Sequence, residues 1–169
     1  MISAIVAVDA NWGIGYNGDL LEHIPEDLKY FKILTEHNIV IMGRKTWDSL
    51  PKKPLPNRLN FVITSQTQNN GCDLVNGEWI LISMDNIKFQ LEYNNQEYDK
   101  YFIIGGGTIY KELLPFCERV YVTKIHKSHE NVDTYFPNLD EMEDWYCSVI
   151  GELQTYNDIS YSFCQYERL

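Results

Sequence analysis

The chain has 169 residues, of which 44% are hydrophobic, 22% charged and 14% aromatic. This composition is typical of a packed globular domain and excludes a disordered or low-complexity chain. The 14 basic and 24 acidic side chains give a net charge of −10, which argues against general binding to nucleic acid or to an anionic membrane surface. No apolar run approaches the ~18 residues of a membrane span. We therefore expect a single soluble domain over residues 1–169.

Short apolar runs alternate with amphipathic segments through the first two thirds of the chain. In chain order, the pattern predicts a strand at 2–8, a glycine-rich loop at 9–24, a helix at 25–36, a strand at 38–42, a helix at 44–50, a proline-rich connector at 51–57, strands at 59–64 and 79–82, a helix at 84–93, a strand at 101–104 and a helix that ends at 114. After Pro115, segments 119–126, 145–153 and 159–166 alternate as antiparallel strands do. This order predicts an α/β sheet that begins parallel and becomes mixed at one edge.

The predicted loop at 9–24 is long for a compact domain and contains Gly13, Gly15 and Gly18. Loops of this length usually bind ligands or close over them. We therefore expect this segment to be a lid or a binding loop, and the family resemblance described below implies a lid.

Asp27 lies in the first turn of the predicted helix, beside an apolar face formed by Ile24, Leu28 and Phe31. The helix dipole favours an acid at this position, and that role needs no function. The alternative is a carboxylate held in an apolar pocket, where burial raises its pKa. The sequence leaves both interpretations open.

Two segments favour a phosphorylated ligand. Residues 44–58 contain five basic side chains and one acidic one, a net charge of +4 in a chain that is acidic overall, and Arg44 follows Gly43 at a strand-to-helix turn where free N–H groups attract phosphate. Gly105, Gly106 and Gly107 lie at a second such turn, where they form either a flexible turn or a close approach to a pyrophosphate. Neither segment has the Rossmann or P-loop spacing. The residues alone therefore predict a phosphorylated cofactor and a second ligand in one cleft.

The four cysteines and four histidines show no metal-site spacing. Cys72, Cys117, Cys147 and Cys164 are far apart without a CxxC pair, so we expect reduced thiols, no metal and a cytoplasmic location.

Seven segments resemble bacterial dihydrofolate reductase and occur in the order of that family. They are 1–7 (MISAIVA), 12–15 (WGIG), 24–32 (IPEDLKYFK), 40–47 (VIMGRKTW), 55–58 (LPNR), 103–107 (IIGGG) and 133–137 (DTYFP). The resemblance implies an eight-stranded, mostly parallel mixed sheet with antiparallel C-terminal strands, flanked by four helices. It also implies a monomer that reduces 7,8-dihydrofolate to 5,6,7,8-tetrahydrofolate with NADPH and binds antifolate inhibitors. Hydride would go to C6 and a proton to N5, in support of one-carbon metabolism and thymidylate synthesis.

The resemblance also implies the residues of the site. Asp27 would hydrogen-bond the pterin ring and favour its protonation, and Thr123 would hydrogen-bond Asp27. Glu22 is the third catalytic candidate. The remaining substrate-binding residues would be Ile5, Ala7, Leu28, Phe31, Leu50, Lys53, Leu55, Arg58, Ile104 and Tyr110, with Arg58 on the glutamate carboxylate. The cofactor would contact Ala7, Ile14, Gly15, Gly18, Asp19, Leu20, Gly43, Arg44, Lys45, Thr46, Thr64, Ser65, Gln66, Gly105, Gly106, Gly107, Thr108, Ile109 and Tyr110, with a cis peptide bond between Gly105 and Gly106.

Two positions depart from the family pattern. Leu21 and Glu22 stand where most bacterial relatives have Pro-Trp, and Thr108 stands where some have a basic or other polar residue. Glu22 is expected either to raise the pKa of Asp27 by its charge or to point to solvent, where it is screened. Because Thr108 carries no charge, the contacts with the cofactor phosphate are expected to depend more on Arg44 and Lys45.

Two other functions fit parts of the pattern. The pyrimidine reductase of riboflavin synthesis shares the fold and NADPH, but it lacks the helix carboxylate seen here as Asp27 before Leu28 and Phe31. A non-catalytic nucleotide-binding module would need neither a lid nor Asp27 nor Arg58. NADPH oxidation on addition of dihydrofolate distinguishes an enzyme from such a module.

Overall fold

The computed structural model describes residues 1–93 and 100–169. Its strands are β1 (Ile2–Val8), β2 (Gly13–Tyr16), β3 (Asp19–Leu20), β4 (Ile39–Gly43), β5 (Leu59–Ile63), β6 (Cys72–Val75), β7 (Trp79–Ile82), β8 (Tyr101–Gly105), β9 (Arg119–Ile125), β10 (Thr134–Tyr135), β11 (Trp145–Ile150), β12 (Gln154–Tyr156) and β13 (Ile159–Arg168). Its helices are α1 (Pro25–Thr35), α2 (Arg44–Ser49), α3 (Met84–Tyr93) and α4 (Gly107–Leu113), with short 3₁₀ turns at Leu114–Phe116 and Leu139–Glu141.

The main sheet has the order β11-β13-β9-β1-β8-β4-β5-β7-β6, and β12 pairs with β13. The six strands from β9 to β7 are parallel to one another, whereas β13, β11 and β12 at one edge and β6 at the other are antiparallel to their neighbours. The expected mixed, mostly parallel sheet with antiparallel C-terminal strands and four helices is therefore confirmed.

The number of strands differs from the expectation. Eight strands of the main sheet correspond to the eight predicted segments, and β6 and β12 are additional. Both are short, and their side chains are exposed or half-buried, so they show no apolar run that a sequence pattern could detect. Segment 9–24 is also more regular than a loop, because β2 and β3 form a second sheet with β10.

The main sheet packs helices on both faces, and alternate residues of its strands face opposite sides. Ile2, Val6 and Val8 of β1 belong to the same buried cluster as residues of α3 and α4. Ile5 of the same strand belongs to a second cluster that includes Trp47 of α2 and Phe31 of α1. The candidate site lies on this second face.

Over residues 1–93 and 100–169, no helix combines the length and apolarity needed to cross a membrane.

Candidate active site

Asp27 is the third residue of α1, which begins with Pro25 after the buried Ile24. The Ile24 carbonyl accepts the N–H of Asp27 at 3.0 Å and that of Leu28 at 3.2 Å, which starts the helix so that Asp27 meets the sheet while Glu26 stays exposed. Burial raises the pKa of Asp27, and a hydrogen bond from Thr123 offsets part of this rise. A carboxylate in an apolar pocket therefore describes Asp27 better than a solvated acid at a helix N-terminus.

Thr123 reaches Asp27 from the sheet. It is buried on β9, opposite Ala7 of β1 and Phe163 of β13, and its hydroxyl donates to Oδ1 of Asp27 at 2.5 Å. The expected Thr123–Asp27 hydrogen bond is thus present. Because β9 lies in the middle of the sheet, the carboxylate is held against a rigid element.

An apolar wall extends from Asp27 toward α2. The side chains that share this wall and that were expected to bind substrate are Ile5, Phe31, Leu50, Leu55 and Ile104. Leu28 remains 52% exposed on α1, as expected for a residue beside an open cleft. Ala7 belongs to a neighbouring cluster with Ile24 and Tyr161.

Arg58 lies at the rim of this wall. Its Nε donates to the Pro56 carbonyl at 2.9 Å, its Nη1 donates to the Thr35 hydroxyl at 3.0 Å, and its guanidinium carbon is 5.8 Å from the centre of the Phe31 ring. Partial burial lowers the pKa of Arg58, and the charge of Glu36 opposes this shift. An arginine remains charged in spite of such a shift, so the cleft has a cation at one end.

Two uncharged polar residues that the sequence reasoning missed support Arg58. Thr35 is fully buried, and its hydroxyl donates to the Phe31 carbonyl at 2.8 Å while accepting from Arg58. Asn60 is fully buried on β5. Its side-chain oxygen accepts the N–H of Leu55 at 2.9 Å, and its side-chain NH₂ donates to the carbonyls of Leu55 and Arg58, each at 3.0 Å. In the sequence, Asn60 is a polar residue between Leu59 and Phe61 in an apolar strand run, and this signal could have identified it as a buried hydrogen-bonding residue.

Lys53 was expected to bind substrate, and the structure places its ammonium at the end of α2. Its ammonium donates to the carbonyls of Trp47 and Asp48, at 3.2 and 3.3 Å, and lies 5.8 Å from the Trp47 ring centre. The last carbonyls of a helix lack partners within the helix, so this lysine stabilises the end of α2. The structure therefore gives Lys53 a capping role, and its expected contact with substrate stays a prediction.

The glycines at two strand-to-helix turns form a cradle. A Cβ on Gly43 would lie 2.8 Å from Ile109, and one on Gly107 would lie 2.5 Å from Thr134, so both turns are closed to any side chain. Gly105 has φ +129°, and the Gly105–Gly106 peptide bond is cis, as the resemblance implies. The hydroxyl of Thr46 faces both of these glycines from α2, at 3.3 and 3.5 Å from their ideal Cβ positions. Gly43 and Gly106 are also the N-caps of α2 and α4 and provide no side-chain cap, so the first N–H groups of these two helices suit the pyrophosphate of a dinucleotide.

A shallow surface depression adjoins this cradle. It is lined by Arg44 at the start of α2, by Ile63 at the end of β5 and by Thr64, Ser65 and Gln66 after it. Arg44 and Lys45 are both exposed there. Four of these five lining residues, all but Ile63, were expected to contact the cofactor, and the structure brings them together.

The lid residues lie in the small sheet. Ile14 and Gly15 are in β2, and Asp19 and Leu20 are in β3, joined by a two-residue turn with positive φ at Asn17 and Gly18. Asn-Gly is the preferred sequence of such a hairpin turn. Asp133 fastens the hairpin, because its Oδ2 accepts the N–H of Asn17 at 2.8 Å.

Tyr110 and Ile109 are buried on α4, and Thr108 is exposed. The Tyr110 hydroxyl donates to the Ile5 carbonyl at 2.6 Å, and its ring lies 5.0 Å from the Phe136 ring. Burial raises the pKa of Tyr110, so this phenol stays protonated and anchors α4 to β1 beside the cleft.

Glu22 does not act on Asp27 as one interpretation expected. Its Oε1 accepts from His129 Nε2 at 2.8 Å and from Lys127 Nζ at 3.1 Å. Neither does it point to solvent, since its side chain is 18% exposed. Burial raises the pKa of Asp27 and the Thr123 hydrogen bond opposes this rise, and the charge of Glu22 is not among the causes.

Comparison with known proteins agrees with this geometry. The family model for dihydrofolate reductase matches residues 1–168. The chain belongs to the dihydrofolate reductase family.

Relatives of the dihydrofolate reductase family resemble the chain over nearly its whole length. It is 40% identical to the dihydrofolate reductase of Bacillus subtilis (strain 168) over 172 residues, covering 99% of this chain and 95% of that protein. It is 32% identical to the dihydrofolate reductase of Heliothis virescens over 182 residues, covering 99% of this chain and 97% of that protein. It is 38% identical to the bifunctional dihydrofolate reductase-thymidylate synthase of Daucus carota over 183 residues, covering 98% of this chain but 33% of that protein.

Proposed function

We propose that this chain reduces 7,8-dihydrofolate to 5,6,7,8-tetrahydrofolate with NADPH, and so supplies one-carbon metabolism and thymidylate synthesis. The observation that carries the proposal is Asp27, a half-buried carboxylate with a raised pKa, bonded to Thr123 and placed between an apolar wall and a glycine cradle. A nucleotide-binding module has no need of such a carboxylate.

The substrate binds along the apolar wall. The pterin ring lies against Asp27 and Ile5, and the benzoyl group packs between Phe31 and Leu55. Arg58 then meets the glutamate carboxylate, because its planar fork suits a carboxylate and its position at the rim matches the polar end of the substrate.

NADPH fits the residues of the cradle. The starts of α2 and α4, which have no side-chain cap, offer backbone N–H groups to its pyrophosphate, and Arg44, Ser65 and Gln66 meet its 2′-phosphate. When bound, this cofactor supplies the hydride.

Asp27 supports the proton transfer that must accompany reduction. Its negative charge stabilises a pterin protonated at N5, which draws its proton from water, while Thr123 holds the carboxylate in place. The lid excludes bulk water during the reaction.

The first experiment follows NADPH absorbance after dihydrofolate is added to the protein. We expect oxidation with the wild type, at a rate that falls as the pH rises, because Asp27 and the bound pterin share one proton and that proton is then lost. Asp27→Asn should lower the rate at pH 7 by about 100-fold or more, since general acid–base assistance contributes about 10²–10⁴-fold. NADPH affinity should change less than twofold.

Glu26→Gln is the matched control, because Glu26 is the exposed neighbour of Asp27 in α1 and pairs with Lys29. This variant should keep the wild-type rate. Wild-type turnover in Asp27→Asn at pH 7, or no NADPH oxidation in the wild-type protein, would contradict the proposal.

We further propose a cytoplasmic monomer that binds antifolate inhibitors in the same cleft. The four unpaired cysteines support a reducing compartment. Size-exclusion chromatography with light scattering tests the monomer, and competition between an antifolate and dihydrofolate tests the shared cleft.

A further inference from the structure

One histidine joins both ends of the lid. His129 lies in the 126–133 connection between β9 and β10. Its Nδ1 is 3.2 Å from Oδ2 of Asp9, and its Nε2 is 2.8 Å from Oε1 of Glu22. Asp9 directly follows β1 and opens the lid segment 9–24, and Glu22 lies near the end of that segment. A single imidazole therefore bridges the two points where the lid leaves the body of the protein.

This bridge is shielded from water. The side chains of Asp9, His129 and Glu22 are 0%, 12% and 18% exposed. Asp9 is held further, because its Oδ1 accepts the N–H groups of Asn11 and Gly13 at 2.9 and 2.8 Å, and its Oδ2 accepts the His129 N–H at 3.1 Å. Water competes little for a hydrogen bond in such surroundings, so the bond contributes more to stability than an exposed ion pair does.

Both carboxylates are ionised near neutral pH. Burial by itself would raise the pKa of Asp9, but hydrogen bonds from the N–H groups of Gly13, Asn11 and His129 bring it below its usual value. Burial would likewise raise the pKa of Glu22, but the hydrogen bonds and charges of His129 and Lys127 lower it overall. The ring thus lies between two acceptors that carry no proton of their own.

The chemistry of imidazole makes such a bridge depend on protonation. An ionised carboxylate only accepts hydrogen bonds, and a neutral imidazole has one N–H, so the ring can donate to both carboxylates only when both nitrogens carry a proton. We propose that His129 and Glu22 are positioning residues, and that the doubly protonated His129 ring fastens both ends of the lid while the neutral ring releases one of them. The lid then closes more tightly at lower pH, where the reduction itself is favoured.

The neighbouring charged groups are few. Lys127 shares Oε1 of Glu22 at 3.1 Å, and Asp19, Glu130 and Tyr16 line the surface depression beside the ring. Asp19 is itself paired with His23, at 3.2 Å. Within the part of the chain that the structure describes, no group of His, Cys, Asp and Glu side chains is arranged to hold a metal ion, so the ring nitrogens serve the carboxylates.

The role in lid closure rests on the proposed function, but its test needs no catalysis. Amide hydrogen exchange of the lid, residues 9–24, is measured between pH 6 and 8.5 and corrected for the intrinsic change of exchange rate. We expect lid protection in the wild type to fall by about tenfold over this range, as for the loss of one charge-assisted hydrogen bond.

Two variants remove this pH dependence in different ways. His129→Gln should give low protection at both pH values. Glu22→Gln should give high protection at both, because an amide can donate to a neutral ring nitrogen and accept from a protonated one. His126→Gln is the control: His126 is exposed in the same connection and contacts Ser162 at 3.1 Å, so its variant should follow the wild type. A wild-type lid without the fall, or either bridge variant that retains it, overturns the proposal, whereas failure of the NADPH assay would overturn only the proposed reaction.

Discussion

Arg58 shows how single residues depend on neighbours that carry no charge. Two of its donors are held by the Pro56 carbonyl and the Thr35 hydroxyl, and the Asn60 amide donates to the backbone carbonyl of Arg58. A guanidinium fixed in this way loses little freedom when it meets a carboxylate. The cationic end of the cleft therefore depends on polar contacts with Pro56, Thr35 and Asn60 that composition and charge do not reveal.

Replacement of Arg58 by lysine tests this orientation. Lysine keeps the charge but loses the planar fork and the contact with Thr35. We expect KM for dihydrofolate to rise by about tenfold, as for the loss of one charge-assisted hydrogen bond, while KM for a pterin without the glutamate tail stays within twofold. Lys52→Gln removes an exposed cation from the same connector and should leave both values unchanged. Equal losses for the two substrates would make Arg58 a structural residue.

Among the elements, α2 places charge beside a turn that only glycine permits. It begins directly after Gly43, whose Cβ position is occupied by Ile109 of α4, and its first two residues are Arg44 and Lys45. The end of the same helix is held by Lys53. Six residues of helix thus bring two exposed cations to the edge of the glycine cradle.

The double variant Arg44→Ala, Lys45→Ala tests this arrangement. The two side chains can pair with a 2′-phosphate, which NADPH has and NADH lacks, so we expect KM for NADPH to rise by about 30-fold and KM for NADH by less than threefold. The comparison of the two cofactors in the same absorbance assay provides the measurement. Lys111→Ala removes a cation from α4 and controls for net charge. Similar increases for both cofactors would refute the assignment.

At the scale of the whole molecule, the main sheet separates the buried cluster on one face from the side chains of the proposed substrate cleft on the other. Ile87 of α3 is fully buried in the cluster on one face, whereas Leu55 is half-buried in the cluster on the other face, where the proposed substrate lies. Side chains on opposite faces of a sheet share few partners, so their effects should be independent.

We expect Ile87→Ala to lower the free energy of unfolding by about 2–5 kcal/mol, because it leaves a cavity in a closed core. Its Tm should fall by about 2–4 °C for each kcal/mol, with KM for dihydrofolate unchanged at 25 °C. Leu55→Ala should show the reverse, a raised KM and a smaller change in Tm. Thermal denaturation and steady-state kinetics on the two variants provide the comparison. A raised KM in Ile87→Ala would show that the two faces are coupled.

Much of the fold was accessible from local patterns. The eight predicted strand segments and the four helices appear close to their predicted bounds, because buried parallel strands and amphipathic helices have strong periodicities. The strands β6 and β12 and the hairpin of β2 and β3 were missed, because these strands are short and mostly exposed or half-buried, so that their local pairing leaves no hydrophobic pattern. The two-residue strand β10 was missed because it pairs with β2, which is distant in the chain.

The sequence by itself determined the family, the order of elements, the acid at Asp27 and the glycines at both turns, since each of these is a local property of residue type and spacing. Only the tertiary structure decided which way the polar side chains point. It joined Asp27 to Thr123 across 96 positions, drew Lys53 to the end of α2, and turned Glu22 toward His129, 107 positions away, and not toward Asp27. These outcomes depend on burial and on hydrogen-bond partners that folding brings together, and no local pattern contains that information.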